Sequence, residues 1–157
     1  LFTGTIGSNI NLSNTTIQPD QIVAAAKEVY LDPFVQNMPS GYDSEVKEGG
    51  SGLSVGQKQL VAFARALAFN PDILILDEAT SSVDTETEHL IQGALSRLMS
   101  NRTFIAIAHR LSTIQNVDKI LVMHRGQLHE IGSHNQLLQK RGLYYRLYQL
   151  QYKDQER

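Results

Sequence analysis

The chain has 157 residues, enough for one domain with a hydrophobic core. Its 41% hydrophobic and 19% charged residues are ordinary for a globular protein, and a net charge of -2 gives no reason to expect nucleic-acid binding. The absence of cysteine excludes disulfides and thiolate metal sites. No apolar run approaches the roughly 18 residues of a membrane-spanning helix, and the start at Leu1 instead of Met indicates a piece of a longer protein.

The first third of the chain predicts short helices separated by turns. Residues 1–12 (LFTGTIGSNINL) are apolar with little periodicity. Pro19, followed by an acidic residue and regularly spaced apolar ones, predicts a helix within residues 16–30. A shorter helical piece is expected over residues 31–39. The glycine-rich stretch from residue 45 to 52 is expected to be a loop, with a flexible linker as the alternative.

A longer helix is predicted to begin at Ser54. Gln57 follows three residues later, which is the Ser-x-x-Gln pattern of a capping box. Gly56 leaves no side chain between the backbone N–H groups of the first turn and a ligand. Unpaired N–H groups and the helix dipole make such an end a good seat for an anion such as phosphate. The alternative is a well-capped structural helix. Apolar residues then repeat at helical spacing: Leu60, Val61, Ala64, Leu67 and Ala68.

The apolar run of residues 73–76 predicts a central strand of a parallel sheet, buried on both faces. Asp77 and Glu78 follow at its carboxyl end, where open α/β sheets bind ligands. Neighbouring strand residues point to opposite faces, so the two carboxylates can do different work. One can hold Mg²⁺ through water, and the other can orient or deprotonate an attacking water. The alternative is that both merely cap the next turn.

The remaining chain continues the α/β pattern. Asp84 is expected to cap another helix, and residues 103–108 predict a second buried strand that ends at His109. A hairpin is predicted over residues 119–131, and two helices follow, one from Ser133 and one over residues 142–151. Four tyrosines in or directly after this last helix, Tyr144, Tyr145, Tyr148 and Tyr152, are expected to serve packing or the surface.

Several segments, in fixed order, resemble motifs of the ATP-binding cassette (ABC) ATPases. LSVGQ, residues 53–57, resembles the signature motif, with Val55 where Gly is usual. ILILDE resembles a Walker B strand with its catalytic glutamate, and SSVD, residues 81–84, resembles the D-loop that follows. AHRLST around His109 resembles the switch-histidine segment. The sequence contains no G-x-x-x-x-G-K-S/T loop (Walker A), so the resemblance covers the C-terminal two-thirds or so of a cassette.

The resemblance implies an α/β fold: an incomplete P-loop NTPase (RecA-like) parallel-sheet core with the α-helical subdomain of ABC proteins. Residues 1–70 would form the helical subdomain with the signature motif. Residues 71–157 would form the C-terminal part of the core, with Walker B, D-loop and switch histidine. The LF-x-GTI start resembles the segment after the Q-loop of exporters. Residues 45–50 resemble the exporter loop that contacts coupling helices, although Lys47 and Gly49 depart from it.

The resemblance also implies ATP and Mg²⁺ as cofactors and a role for each motif residue. Asp77 would position Mg²⁺ through water, and Glu78 would act as the general base. His109 would read the γ-phosphate, while Asp84 would communicate across a dimer. Three residues of the signature motif would bind ATP held by the partner subunit: Ser54, Gly56 and Gln57.

The implied function is the ATPase domain of an ABC exporter, which couples ATP binding and hydrolysis to transmembrane export of a drug, lipid or peptide. Its expected place is the cytoplasmic face of the cell membrane. The expected partners are a second nucleotide-binding domain, in a homodimer or heterodimer, and a transmembrane domain fused upstream, with no nucleic acid. Val55 leaves an asymmetric heterodimer open. Without Walker A, the isolated chain is expected to be inactive.

Three alternatives stand beside the exporter. The LF-x-GTI start, which resembles exporters, argues against an importer cassette. A DNA-maintenance ABC ATPase usually has an acidic residue where Gln57 stands. A non-catalytic regulatory module would not need Asp77, Glu78 and His109.

Overall fold

The computed structural model describes residues 1–77, 85–100, 102–107 and 114–155. The chain divides into two compact units, Leu1–Ile105 and Ala106–Arg157. The predicted division between residues 70 and 71 concerns the subdomains of the family and stays a prediction. Within the described ranges, no helix is long and apolar enough to cross a membrane.

The first unit combines helices with two small sheets. Strands β1 and β2 form one antiparallel pair, and β3 and β4 are hydrogen-bonded neighbours in the other sheet. The described helices are α1 (Ile6–Asn11), α2 (Pro19–Glu28), α3 (Asp32–Gln36), α4 (Val55–Ala68) and α5 (Thr85–Met99), with 3₁₀ turns at Gly41–Asp43 and Glu48–Gly50. The strands are β1 (Gly4–Thr5), β2 (Glu45–Val46), β3 (Ile73–Asp77) and β4 (Thr103–Ile107).

Helix α4 lies at the centre of this unit and packs against α1, α2 and α5. The predicted apolar spacing holds for its core face, whose buried residues include Leu60, Val61 and Ala64. Burying an aliphatic side chain of this size contributes about 1.5–3 kcal/mol. The core also contains apolar residues in or next to the other helices: Ile6, Ile10, Ile22, Ala26, Val29, Val35, Ile91, Ala94, Leu95 and Leu98.

Strands β3 and β4 with the intervening α5 form a β-α-β unit. The Thr103 amide donates a hydrogen bond to the Asp72 carbonyl at 3.1 Å, so the two strands begin side by side and run parallel. The expectation that both faces of these strands are buried is wrong for this chain. Ile73, Ile75 and Ile105 are 59%, 66% and 52% exposed, because only one face packs on the helices.

The N-terminal segment is more ordered than its sequence indicated. Thr5 and Ser8 form a capping box that starts α1, a helix the weak periodicity did not predict. Strand β1 pairs with β2, in register Gly4 with Val46, and the Val46 side chain is buried. The stretch from residue 45 to 52 is therefore held in place at its start, which argues against a flexible linker.

The second unit contains the predicted hairpin and two helices. Strand β5 (Ile120–His124) pairs antiparallel with β6 (Gln127–Gly132) through a turn at Arg125 and Gly126, which has a positive φ of 76°. Helix α6 (His134–Lys140) begins at the N-cap Ser133, as predicted, and α7 (Leu143–Gln155) follows. The small core consists of four buried residues: Ile120, Val122, Leu137 and Tyr144.

Tyr144 fixes α7 to the rest of this unit. Its ring is buried, and its hydroxyl lies 2.7 Å from Nδ1 of His134. The Glu130 carboxylate accepts hydrogen bonds from the amides of Leu143 and Tyr144, at 2.5 and 3.2 Å, and so caps α7. A carboxylate at a helix N-terminus also interacts favourably with the helix dipole. The prediction that the tyrosines in and after the last helix serve packing is confirmed for Tyr144.

Truncation of Tyr144→Ala is expected to destabilise the second unit by about 3–5 kcal/mol, the usual cost of removing a buried aromatic ring. Thermal unfolding followed by circular dichroism measures the loss. Tyr145→Ala is the matched control, because Tyr145 is only partly buried and its hydroxyl accepts a bond from Gln149 on the same helix. Equal destabilisation by the two variants would contradict the anchoring role of Tyr144.

Candidate functional site

The predicted capping box is present at the start of α4. Ser54 has extended backbone angles (φ -65°, ψ 163°), and its Oγ accepts a hydrogen bond from the Gln57 amide at 3.2 Å. Oε1 of Gln57 accepts from the Ser54 amide at 2.7 Å. These reciprocal bonds satisfy two of the backbone donors that every helix start leaves without an intrahelical acceptor.

The helix start keeps donors for a ligand. Ser54 is exposed, and because its oxygen acts as an acceptor in the box, its O–H proton remains available for an anion. The amides of Val55 and Gly56 lie in the first turn, where helix geometry provides no acceptor. Val55 is 48% exposed, whereas Gly56 is buried. Contact of Ser54, Gly56 and Gln57 with a nucleotide stays a prediction.

A turn from the preceding loop packs against α4 beside this end. Gly50 has a φ of 73°, and a Cβ added there would lie 3.0 Å from Cδ1 of Leu1 and 3.1 Å from Cε of Lys58. A side chain at this positive φ would be strained and would press on Leu1 and Lys58, so glycine is favoured there, and the aliphatic stem of Lys58 lies against the turn. This places a cation one helical turn from Ser54.

Asp77 ends β3 with an exposed side chain, and the salt bridges found in the described part of the chain do not include it. Its carboxylate therefore suits a hydrated Mg²⁺, which binds proteins through one or two carboxylates and keeps several waters. Among the described residues, no group of three potential metal ligands occurs. Glu78, Asp84 and His109 lie outside the described residues, so their grouping with Asp77 stays a prediction.

Comparison with protein families identifies the family to which the chain belongs. The family model described as ABC transporter matches residues 3–81, about half of the chain, and so includes the capping box of α4 and Asp77. The chain belongs to the ABC transporter family. The resemblance found in LSVGQ and ILILDE is thereby confirmed.

Individual relatives agree with this family. The chain is 50% identical over 96% of its length to a probable multidrug resistance ABC transporter ATP-binding/permease protein, YheH of Bacillus subtilis. It is 48% identical over 98% of its length to the ATP-dependent lipid A-core flippase of Chromobacterium violaceum. The chain spans only 22% and 26% of these two relatives.

A solved structure gives the same answer for the fold. A bacterial Atm1-family ABC exporter with ATP bound is 47% identical, with a TM-score of 0.85 over 96% of this chain and 26% of that one. The predicted fold class, an incomplete α/β P-loop NTPase core with helices, is thereby confirmed.

Proposed function

We propose that this chain is part of the ATPase domain of an ABC exporter, which couples ATP binding and hydrolysis to transport across a membrane. One observation carries the proposal: the segment matched by the family model contains a capped helix start with exposed donors and an exposed carboxylate at a strand end. These are the two kinds of group that a Mg-nucleotide needs. The names of the relatives and of the similar structure support export.

In this proposal the end of β3 and the start of α4 have different roles. Asp77 would hold Mg²⁺, which neutralises phosphate charge when it is bound. Glu78 would take a proton from the attacking water, and His109 would hydrogen-bond the γ-phosphate. The helix start would act on ATP held by a partner subunit, with the Ser54 hydroxyl and first-turn amides as donors. For Gln57, the side-chain NH₂ is the group left for a ligand, since its oxygen is engaged in the capping box.

The proposal includes two partners and a location. One partner is a second nucleotide-binding domain, which completes each composite site, and Asp84 would communicate between the two. The other is a transmembrane domain, supported by the ATP-binding/permease name of a relative. Residues 45–50 would contact it. These partners place the domain at the cytoplasmic face of a membrane. The substrate, whether drug, lipid or peptide, would be selected by that other domain.

Titration of Mg-ATP into this chain alone tests directly how the nucleotide-binding residues are divided between this chain and the rest of the full-length protein. We expect no calorimetric signal at micromolar ATP, because the sequence has no Walker A loop to cradle the phosphates. The full-length protein, titrated in parallel, is expected to bind ATP. Binding of ATP by the chain alone at micromolar concentration would contradict this division. Absence of binding by the full-length protein would contradict the proposed function itself.

A further inference from the structure

Asn9 holds the first residues of the chain onto α1. It is only 1% exposed, and its side-chain NH₂ donates to the carbonyls of Phe2 and Thr5, at 2.8 and 3.0 Å. Its Oδ1 accepts from the Phe2 amide at 2.9 Å. A buried amide side chain survives in a core only when it is hydrogen-bonded in this way. The position of segment 1–5 is therefore fixed through Asn9.

Arg65 of α4 joins this arrangement from the other side. Its Nε donates to the Asn9 carbonyl at 2.7 Å, and Nη2 lies 3.5 Å from Oδ1 of Asn9. The guanidinium also lies 5.8 Å from the centre of the Phe2 ring. The Asn9 carbonyl belongs to the last turn of α1, where carbonyls have no partner within the helix. Arg65 thus caps α1 with a cation, which the helix dipole favours.

The contact between Arg65 and Asn9 is directional. Burial of Leu60, Val61 and Ala64 is a non-directional contribution, whereas the Arg65 hydrogen bond joins two particular atoms of α4 and α1. Hydrogen bonds weaken steeply when distance or angle changes. Since α4 has 14 residues, about 21 Å, and is stiff, fixing it at Arg65 also fixes its other end at Ser54.

We propose that Arg65 and Asn9 are positioning residues, which set the axial position of α4 and thereby hold the Ser54 end where it meets the nucleotide of the partner subunit. This inference rests on the proposed function. It adds a second role to Arg65, which caps α1, and to Asn9, which holds the first residues of the chain onto α1. Arg65 would influence the nucleotide site only through the position of α4.

Arg65→Gln in the full-length protein tests the inference by steady-state ATPase assays and by hydrogen exchange. We expect kcat to fall about tenfold, since a misplacement of 1 Å can cost up to 100-fold in rate. KM for ATP is expected to change less than about twofold, because in the proposed function ATP would be held by the Walker A loop of its own subunit and not by α4. Exchange of the Lys58 amide, which bonds to the Ser54 carbonyl at 3.0 Å, should become faster. Arg65→Lys, which keeps the charge, should restore part of kcat.

Arg97→Gln is a matched control. Arg97 likewise donates to a carbonyl at a helix end, that of Glu28 on α2 at 3.2 Å, and stacks on Tyr30 with 4.6 Å to the ring centre. It does so from α5 and not from α4. We therefore expect wild-type kcat and unchanged exchange at Lys58 in Arg97→Gln.

Three results would overturn the inference: an unchanged kcat in Arg65→Gln, equal losses of kcat in the two variants, or unchanged exchange at Lys58 in Arg65→Gln. If the wild-type protein itself hydrolyses no ATP, the proposed function fails instead. Hydrogen exchange at Lys58 then still decides the positioning role, because it needs no turnover. Unchanged exchange there in Arg65→Gln would refute it.

Discussion

Replacing Glu78→Gln in the full-length protein is expected to abolish ATP turnover at its own site while ATP binding persists. The amide has nearly the same shape as the carboxylate, but it cannot accept the proton of the attacking water. Loss of a positioned general base usually costs about 100- to 10,000-fold in rate. Single-turnover hydrolysis measures the chemical step, and calorimetric titration with Mg-ATP measures binding separately.

Asp72→Asn provides the control for this loss. It removes the same single charge from the same strand region, but at the start of β3 and so at the opposite end of the strand from Glu78. The Asp72 backbone carbonyl, which accepts from Thr103, is kept in this variant. We expect Asp72→Asn to retain wild-type turnover. Unchanged turnover in Glu78→Gln would rule out Glu78 as the base.

Local sequence signals predicted local structure well. The boxes at Ser54 and Ser133 could be predicted because both partners lie three residues apart and the geometry depends on nothing else. The β-α-β order of β3, α5 and β4 followed from apolar runs separated by a helical pattern. The site motifs were likewise short and contiguous, which is why the family was visible from the residues alone.

Contacts between distant residues could not be predicted in this way. Asn9 and Arg65 are 56 positions apart, and neither carries a local signal for the other. The prediction that both faces of β3 are buried was wrong for a related reason. An apolar strand sequence shows that the strand can be covered, but it does not show which segment covers it. Ile73 and Ile75 face outward because the residues described here cover only one face of the strand.

Ser54→Asp is expected to separate the structural role of the capping box from its role toward nucleotide. Aspartate is as good an N-cap as serine, and its charge suits the helix dipole, so the stability of α4 should be kept. Toward the phosphate of a bound nucleotide, however, the new carboxylate is repulsive. Two like charges 4 Å apart repel by about 4 kcal/mol at an effective dielectric constant of 20, roughly a 1000-fold effect. We therefore expect ATPase activity of the full-length protein to fall at least about 100-fold.

Ser133→Asp shows whether that loss comes from the nucleotide or from the cap. The box of α6 has the same design: Oγ of Ser133 accepts from the Gln136 amide at 3.4 Å, and the Ser133 amide donates to Oε1 of Gln136 at 2.9 Å. An added carboxylate there meets a helix start with no proposed anion, so turnover and melting temperature should both match the wild type. Loss of activity in Ser54→Asp alone, at an unchanged melting temperature, would indicate that the start of α4 is the anion-binding site. Equal losses in both variants would instead trace the effect to the caps and remove Ser54 from the nucleotide site.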